Sequence, residues 1–174
     1  MTRPEILFEG RRFRVERVLQ VTPDGTEHVR EVVRHPGAVT ILPLLDDGRV
    51  CFVRNFRPAV DQTLIELPAG TREPGEEPAV TARRELAEET GYRAEKIELL
   101  ATFYMSPGIL DEEMHLYLAT SLTPGAMALD PGEDLQPWPV RWEEAMRMVQ
   151  DGRIEDAKTL AGLLYYGAFR DSPG

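Results

Sequence analysis

Residues 70–92 read GTREPGEEPAVTARRELAEETGY, and no other stretch leaves the chain so little choice. Pro74-Gly75 turns the backbone. Pro78 suits the first position of a helix, where its missing N–H is not needed. Gly91 can take the left-handed conformation that ends one. The spacing predicts a helix from about 78 to 90. With Glu85 at angle zero, about 100° per residue puts Glu88 near −60° and Glu89 near +40°. Three carboxylates share an arc of about 100°, while Val80, Leu86 and Ala87 point broadly the other way and are expected to pack on a sheet. Like charges at this spacing repel, and a small cation would turn the cost into binding energy. Hard carboxylate oxygens suit Mg²⁺ or Mn²⁺ over softer metals.

The rest of the chain alternates strand and turn signals. Residues 13–21 (FRVERVLQV) alternate apolar and polar, Pro23-Asp24-Gly25 turns, and the next run returns, which makes a hairpin. Residues 38–45 and 50–57 are expected to form a second strand pair around Asp46-Asp47-Gly48. A short strand at 63–67 runs into a loop opened by Pro68-Ala69-Gly70. Strands are expected near 97–104 and 114–120, irregular chain over 124–139 where Pro and Gly crowd, and helices near 142–151 and 156–169. Strands mixed with a few helices argue for an α/β sandwich.

Composition narrows the function classes. The 174 residues suit one domain. Thirty acidic side chains against 20 Lys and Arg give a net charge of −10. Such a chain repels phosphate backbones, so no nucleic-acid partner is expected. A small phosphate ester remains compatible if metal ions neutralise the site. No apolar run approaches the roughly 18 residues of a membrane helix, so no membrane partner is expected. Residues 1–12 lack an apolar signal core, and the cytoplasm is the expected location. The single cysteine, Cys51, sits in a strand pattern and reads as a small buried residue. His28, His35 and His115 are scattered, without helix-ligand spacing.

A glutamate-rich helix face alone is an ordinary solvated surface. The whole segment is not: it resembles the Nudix box, a Gly, five residues, a Glu, seven residues, then Arg-Glu-bulky-any-Glu-Glu-any-Gly-bulky. Those places hold Gly70, Glu76, Arg84, Glu85, Leu86, Glu88, Glu89, Gly91 and Tyr92. With residue frequencies of about 5–10%, the seven single-residue places match by chance about once in 10⁸ starts. Tyr92 stands where an aliphatic residue is more usual. The resemblance implies the Nudix fold, an α/β/α sandwich with a mixed sheet, and metal-dependent hydrolysis of a nucleoside diphosphate linked to another moiety. It implies Glu85 and Glu89 as direct metal ligands, and Glu88 as a ligand or holder of metal-bound water. Ala69 would offer its carbonyl to the metal. Arg84 would orient the carboxylates, and Glu76 would tie loop to helix. Gly70 and Gly91 would give backbone freedom at the box's ends.

Segments outside the box resemble the ADP-ribose pyrophosphatase branch: HPGAV (35–39), VRNFRPAV (53–60), LIELPAG (64–70), SPGILDEEMHLYLA (106–119) and DGRIEDAKTL (151–160). Pro107, 16 residues beyond Gly91, occupies a place that marks this branch. The resemblance implies an ADP-sugar substrate yielding AMP and a sugar phosphate, Arg57 and Arg54 as diphosphate contacts, and Glu66 near the ion cluster. Loop 129–134 (LDPGED) would supply a further ligand, Glu133, and the general base is open among Glu133, Asp130 and Glu112. Residues 1–35 are expected to form a β arm that builds a homodimer, and residues 36–174 the hydrolase domain. Another nucleotide sugar, a dinucleotide, or a non-catalytic ADP-ribose sensor are the alternative readings.

Overall fold

The computed structural model describes residues 4–129 and 135–169. In chain order the elements are β1 (Glu5–Glu9), β2 (Arg14–Val21), β3 (Glu27–Arg34), β4 (Ala38–Pro43), β5 (Arg49–Arg57), β6 (Gln62–Glu66) and β7 (Ala69–Thr71). There follow α1 (Pro78–Thr90), β8 (Tyr92–Tyr104), β9 (Glu113–Pro124), β10 (Leu135–Arg141), α2 (Trp142–Gln150) and α3 (Ala157–Phe169). Three sheets run β1-β2-β3, β10-β5-β6 and β7-β4-β9-β8. The last is mixed: β4 lies parallel to β9 and antiparallel to β7.

All six residues of β4 are buried, because both faces of its sheet are covered. Val39 and Ile41 meet Ala82 and Leu86 of α1 on one side. Leu42 joins Phe52 of β5, Met148 of α2 and Leu163 of α3 on the other. The result is an α/β/α sandwich with a mixed sheet, carrying the first three strands as a separate arm. Cys51 is fully buried in β5, and that burial pushes its thiol up to about 11, so it packs as an apolar residue.

Four expectations need correction. The runs 38–45 and 50–57 do turn at Gly48, but they share only a bridge, Leu44 to Val50. They then part into different sheets, because β7 and β9 occupy the two edges of β4, and β6 and β10 those of β5. Ala69 and Gly70 lie in strand β7 rather than a loop. The Pro-rich stretch contains β10, which bears Pro137 and Pro139 yet pairs with β5; an edge strand tolerates proline where the missing N–H points away from its neighbour. Val80 is 55% exposed and does not pack on the sheet. The buried side of α1 is Thr81, Ala82, Leu86, Glu89 and Thr90, so packing face and carboxylate arc overlap at Glu89 instead of opposing each other.

Candidate active site

Helix α1 starts with Pro78 in its first turn and ends at Gly91, whose φ of 73° is left-handed and whose N–H bonds the Ala87 carbonyl. Backbone freedom is therefore the requirement at Gly91. At Gly70 it is not: no left-handed φ occurs there, and a Cβ would overlap the Glu85 carboxylate. Gly70 is small so that α1 can bring Glu85 against β7. That corrects the expectation of backbone freedom at this end of the box.

Arg84 is the hub of the box. Its Nε and Nη2 donate to the two oxygens of Glu76 at 3.2 and 3.1 Å. Its Nη1 donates to Glu85 at 2.7 Å and to Glu88 at 2.9 Å. Glu76 also accepts from the Thr81 hydroxyl and the Glu73 N–H, so it joins the turn to the helix. The Arg84 guanidinium holds the Glu76 carboxyl down to about 2, outweighing the opposing effect of burial with further help from Thr81 and the Glu73 amide. Glu89 is buried, and its Oε2 accepts the Ala69 N–H at 3.0 Å. Ala69 thus meets the box through its amide.

A second charged knot lies across the cleft. Glu66 is 1% exposed. Arg57 Nε and Nη2 donate to its two oxygens at 2.7 and 2.6 Å, and Lys158 Nζ reaches Oε2 at 2.6 Å. Burial alone would raise the Glu66 carboxyl; the two cations outweigh it and hold it below its ordinary value. Asp156 accepts from Lys158, and it caps α3 by accepting the Thr159 N–H and hydroxyl. The Thr159 hydroxyl in turn accepts the Leu67 N–H, locking α3 to the end of β6.

Both knots line one cleft of about 490 Å³, a size suited to a nucleotide-scale ligand. Arg57, Glu66, Ala69, Arg84, Glu85, Glu88, Glu89 and Glu112 are all in its wall. Seven carboxylates and four cationic side chains line it, an excess of three negative charges. Among the described residues no three His, Cys, Asp or Glu side chains converge as a ready ligand set. The box carboxylates are turned toward Arg84 and the Ala69 amide. Even so, the donor chemistry fits a divalent cation: hard oxygens in an acidic cleft, with Glu85 and Glu88 held by an arginine a cation could displace.

Two expected contacts lie elsewhere. Side chains alternate along β5, so Arg54 leaves the face that carries Arg57 and stacks on Trp138, 4.4 Å from the ring centroid. Pro107 lines a separate cavity with Arg34, Tyr104 and Leu110. Glu133 and Asp130 lie outside the described residues. Sequence reading assigned no role to Lys158 or Asp156. A signal existed: Asp156 and Thr159 have N-cap spacing, and a lysine in a first helical turn opposes the helix dipole unless an acid pairs with it.

A family profile described as NUDIX domain matches residues 34–163, and the chain belongs to that family. The ADP-ribose pyrophosphatase of Bacillus subtilis (strain 168) is 42% identical over 145 residues, 82% of this chain and 78% of that protein. The methanol dehydrogenase activator of Bacillus methanolicus is 38% identical over 163 residues, 92% of this chain and 88% of that one. A crystal structure of an ADP compounds hydrolase superposes with a TM-score of 0.82 at 24% identity, over 97% of this chain and 95% of its own; it shows the same fold.

Proposed function

We propose that this Nudix pyrophosphohydrolase cleaves the pyrophosphate bond of ADP-ribose or a related ADP-sugar, giving AMP and a sugar phosphate. One observation carries the reading: the Arg84-organised carboxylates and the Arg57–Glu66–Lys158 knot face the same nucleotide-sized cleft. The similarity to a protein named ADP-ribose pyrophosphatase supports the choice of substrate.

In this reading Glu85, Glu88 and Glu89 would hold Mg²⁺, with Mn²⁺ able to replace it, and Glu133 would add a ligand. Bound there, the cation would neutralise the diphosphate and make a water more acidic. Arg57 keeps donors beyond the two spent on Glu66 and offers them to the diphosphate. Arg84 aims the carboxylates of Glu76, Glu85 and Glu88. The proton of the attacking water goes to Glu112, Glu133 or Asp130; of these Glu112 lies in the described cleft wall. No covalent enzyme intermediate is needed. The test is product analysis with ADP-ribose, ADP-glucose, a dinucleotide and ATP at fixed Mg²⁺, with and without chelator. ADP-ribose should have the highest kcat/KM and chelator should stop turnover. A tenfold preference for ATP or the dinucleotide, about 1.4 kcal/mol, would overturn the substrate.

The arm supports a homodimer. Ile6, Phe8, Leu19, Val21 and Val29 are exposed on this three-stranded sheet, as is Phe13 just before β2, and so small a sheet gains from being covered. A monomer by light scattering at micromolar concentration would reject it. Among the described residues no helix is long and apolar enough to cross a membrane, and the cytoplasm remains our proposal for its location.

A further inference from the structure

The loop that carries Glu112 into the cleft is tied to the N-terminal arm by a chain of charges. Glu16 of β2 is 4% exposed, although most side chains of the arm are open to water. It accepts from Arg14 Nε at 2.6 Å and from Arg34 Nε at 2.8 Å. Arg34 uses a different nitrogen, Nη1, for Asp111 Oδ2 at 3.0 Å. The other Asp111 oxygen accepts the His35 N–H at 2.8 Å. Two backbone bonds run beside this chain, Val33 N–H to the Ile109 carbonyl at 2.8 Å and Asp111 N–H to the Val33 carbonyl at 3.1 Å. Residues 109–111 are therefore paired to the end of β3.

The loop closes at its base, where the Met105 N–H bonds the Glu112 carbonyl at 3.2 Å, and both residues line the cleft. His35 Nδ1 stands 3.6 Å from a Glu112 oxygen. A sheet that served only to present an apolar face would not need a buried carboxylate, which is costly unless paired. Here the buried carboxylate holds two guanidinium groups, and that of Arg34 spans from the arm to the loop. A lysine's single nitrogen could not match the fork that reaches Glu16 and Asp111 with separate donors.

We propose that Arg34 is a positioning residue: the chain Glu16–Arg34–Asp111 holds residues 105–112 in place, and so the arm sets the placement of Glu112 in the hydrolytic cleft of its own chain. The proposal rests on the hydrolase reading above and acts through Glu112.

The test compares Arg34→Gln and Asp111→Asn with Arg30→Gln, whose arginine bonds Gln20 on the same strand pair. Hydrogen exchange reads the loop without reference to activity. The first two variants should speed exchange of the amides at 109–111 by about tenfold or more, and Arg30→Gln should not. With ADP-ribose and Mg²⁺, Arg34→Gln should lower kcat about 10- to 100-fold and change KM by no more than about threefold. In a Glu112→Gln background the same substitution should lower kcat by less than about twofold further. Unchanged loop exchange in both variants would overturn the proposal, as would a loosened loop with wild-type kcat, or a full loss that persists without Glu112. Should Arg34→Gln fail to fold, Asp111→Asn, which keeps the acceptor for His35 N–H, carries the same comparisons. A wild-type protein inert toward every nucleotide sugar would sink the hydrolase reading, while the exchange result would still judge the tie itself.

Discussion

Arg17 on the arm and Arg57 at the cleft each hold a glutamate at hydrogen-bond distance, 2.8 Å to Glu5 in one case and 2.7 and 2.6 Å to Glu66 in the other. The lengths are alike and the surroundings are not. Arg17 and Glu5 have side chains 44% and 62% exposed, where water competes for both charges and salt screens them. Glu66 is out of water, and two cations converge on one of its oxygens. Desolvation there makes a missing partner expensive and a present one directional. Bond lengths alone therefore say little about which ion pairs matter. Most charged side chains of the arm face water, with Glu16 and Arg34 the exceptions, whereas the charges of the cleft hold one another in fixed geometry.

The sharpest way to separate the two regions is activity. Glu89→Gln should lower kcat by about 10²–10³, because it removes charge where the diphosphate and its cation would sit. Steady-state turnover with Mg²⁺ checks it, and undiminished turnover in excess chelator would break the assignment of the cleft altogether. Next in size, Glu66→Gln should destabilise the fold by about 3 kcal/mol, read by urea unfolding, since Arg57 loses its carboxylate and Lys158 is left with Asp156. A loss no greater than that of an arm variant would erase the contrast.

A smaller effect with a distinct pH signature is expected at Glu76. Its carboxyl is depressed to about 2 from an ordinary value of 4.5, so its contribution to stability is complete above 4.5 and fades as pH falls toward 2. Glu76→Gln should cost about 1–2 kcal/mol near neutrality. The gap to wild type should close across that acid window in denaturant titrations at stepped pH. A gap constant with pH would place the Glu76 contribution outside its charge. Smallest of all, Arg17→Gln should change stability by less than about 0.5 kcal/mol, and added salt should remove even that. A larger, salt-resistant loss would mean that the arm's ion pairs are not the exposed kind.

The same contrast governs what could be read in advance. Helix α1 was legible, because Pro78 and Gly91 act on their own turns and the carboxylate spacing follows from helix geometry. The hairpin of β2 and β3 was legible for the same reason, since its turn lies between the strands it joins. Glu89 was legible as a charge on the carboxylate arc, but its burial was not: that depends on β7, 20 residues away, offering the Ala69 amide. Arg54 and Arg57 were both read as diphosphate contacts, Arg57 ahead of Arg54. The strand's alternation sends them to opposite faces, and only the placement of β6 and α3 determines which face is the cleft.

By itself the sequence determined the box: its helix, the order of charges along it, the glycine that ends it, and the hydrolase family those residues mark. It also set the acidic balance that calls for a cation if phosphates are to enter. The tertiary structure alone decided that 38–45 and 50–57 part into two sheets, that Gly70 is required by the approach of Glu85 rather than by its own backbone, that Lys158 meets Glu66 across 92 residues, and that Arg34 grips Asp111 across 77. The reason lies in range. Caps, turns and periodicity act within a few residues and are written locally. Which strand edge is free, and which buried charge finds a partner, depends on surfaces that meet only once the whole chain has packed.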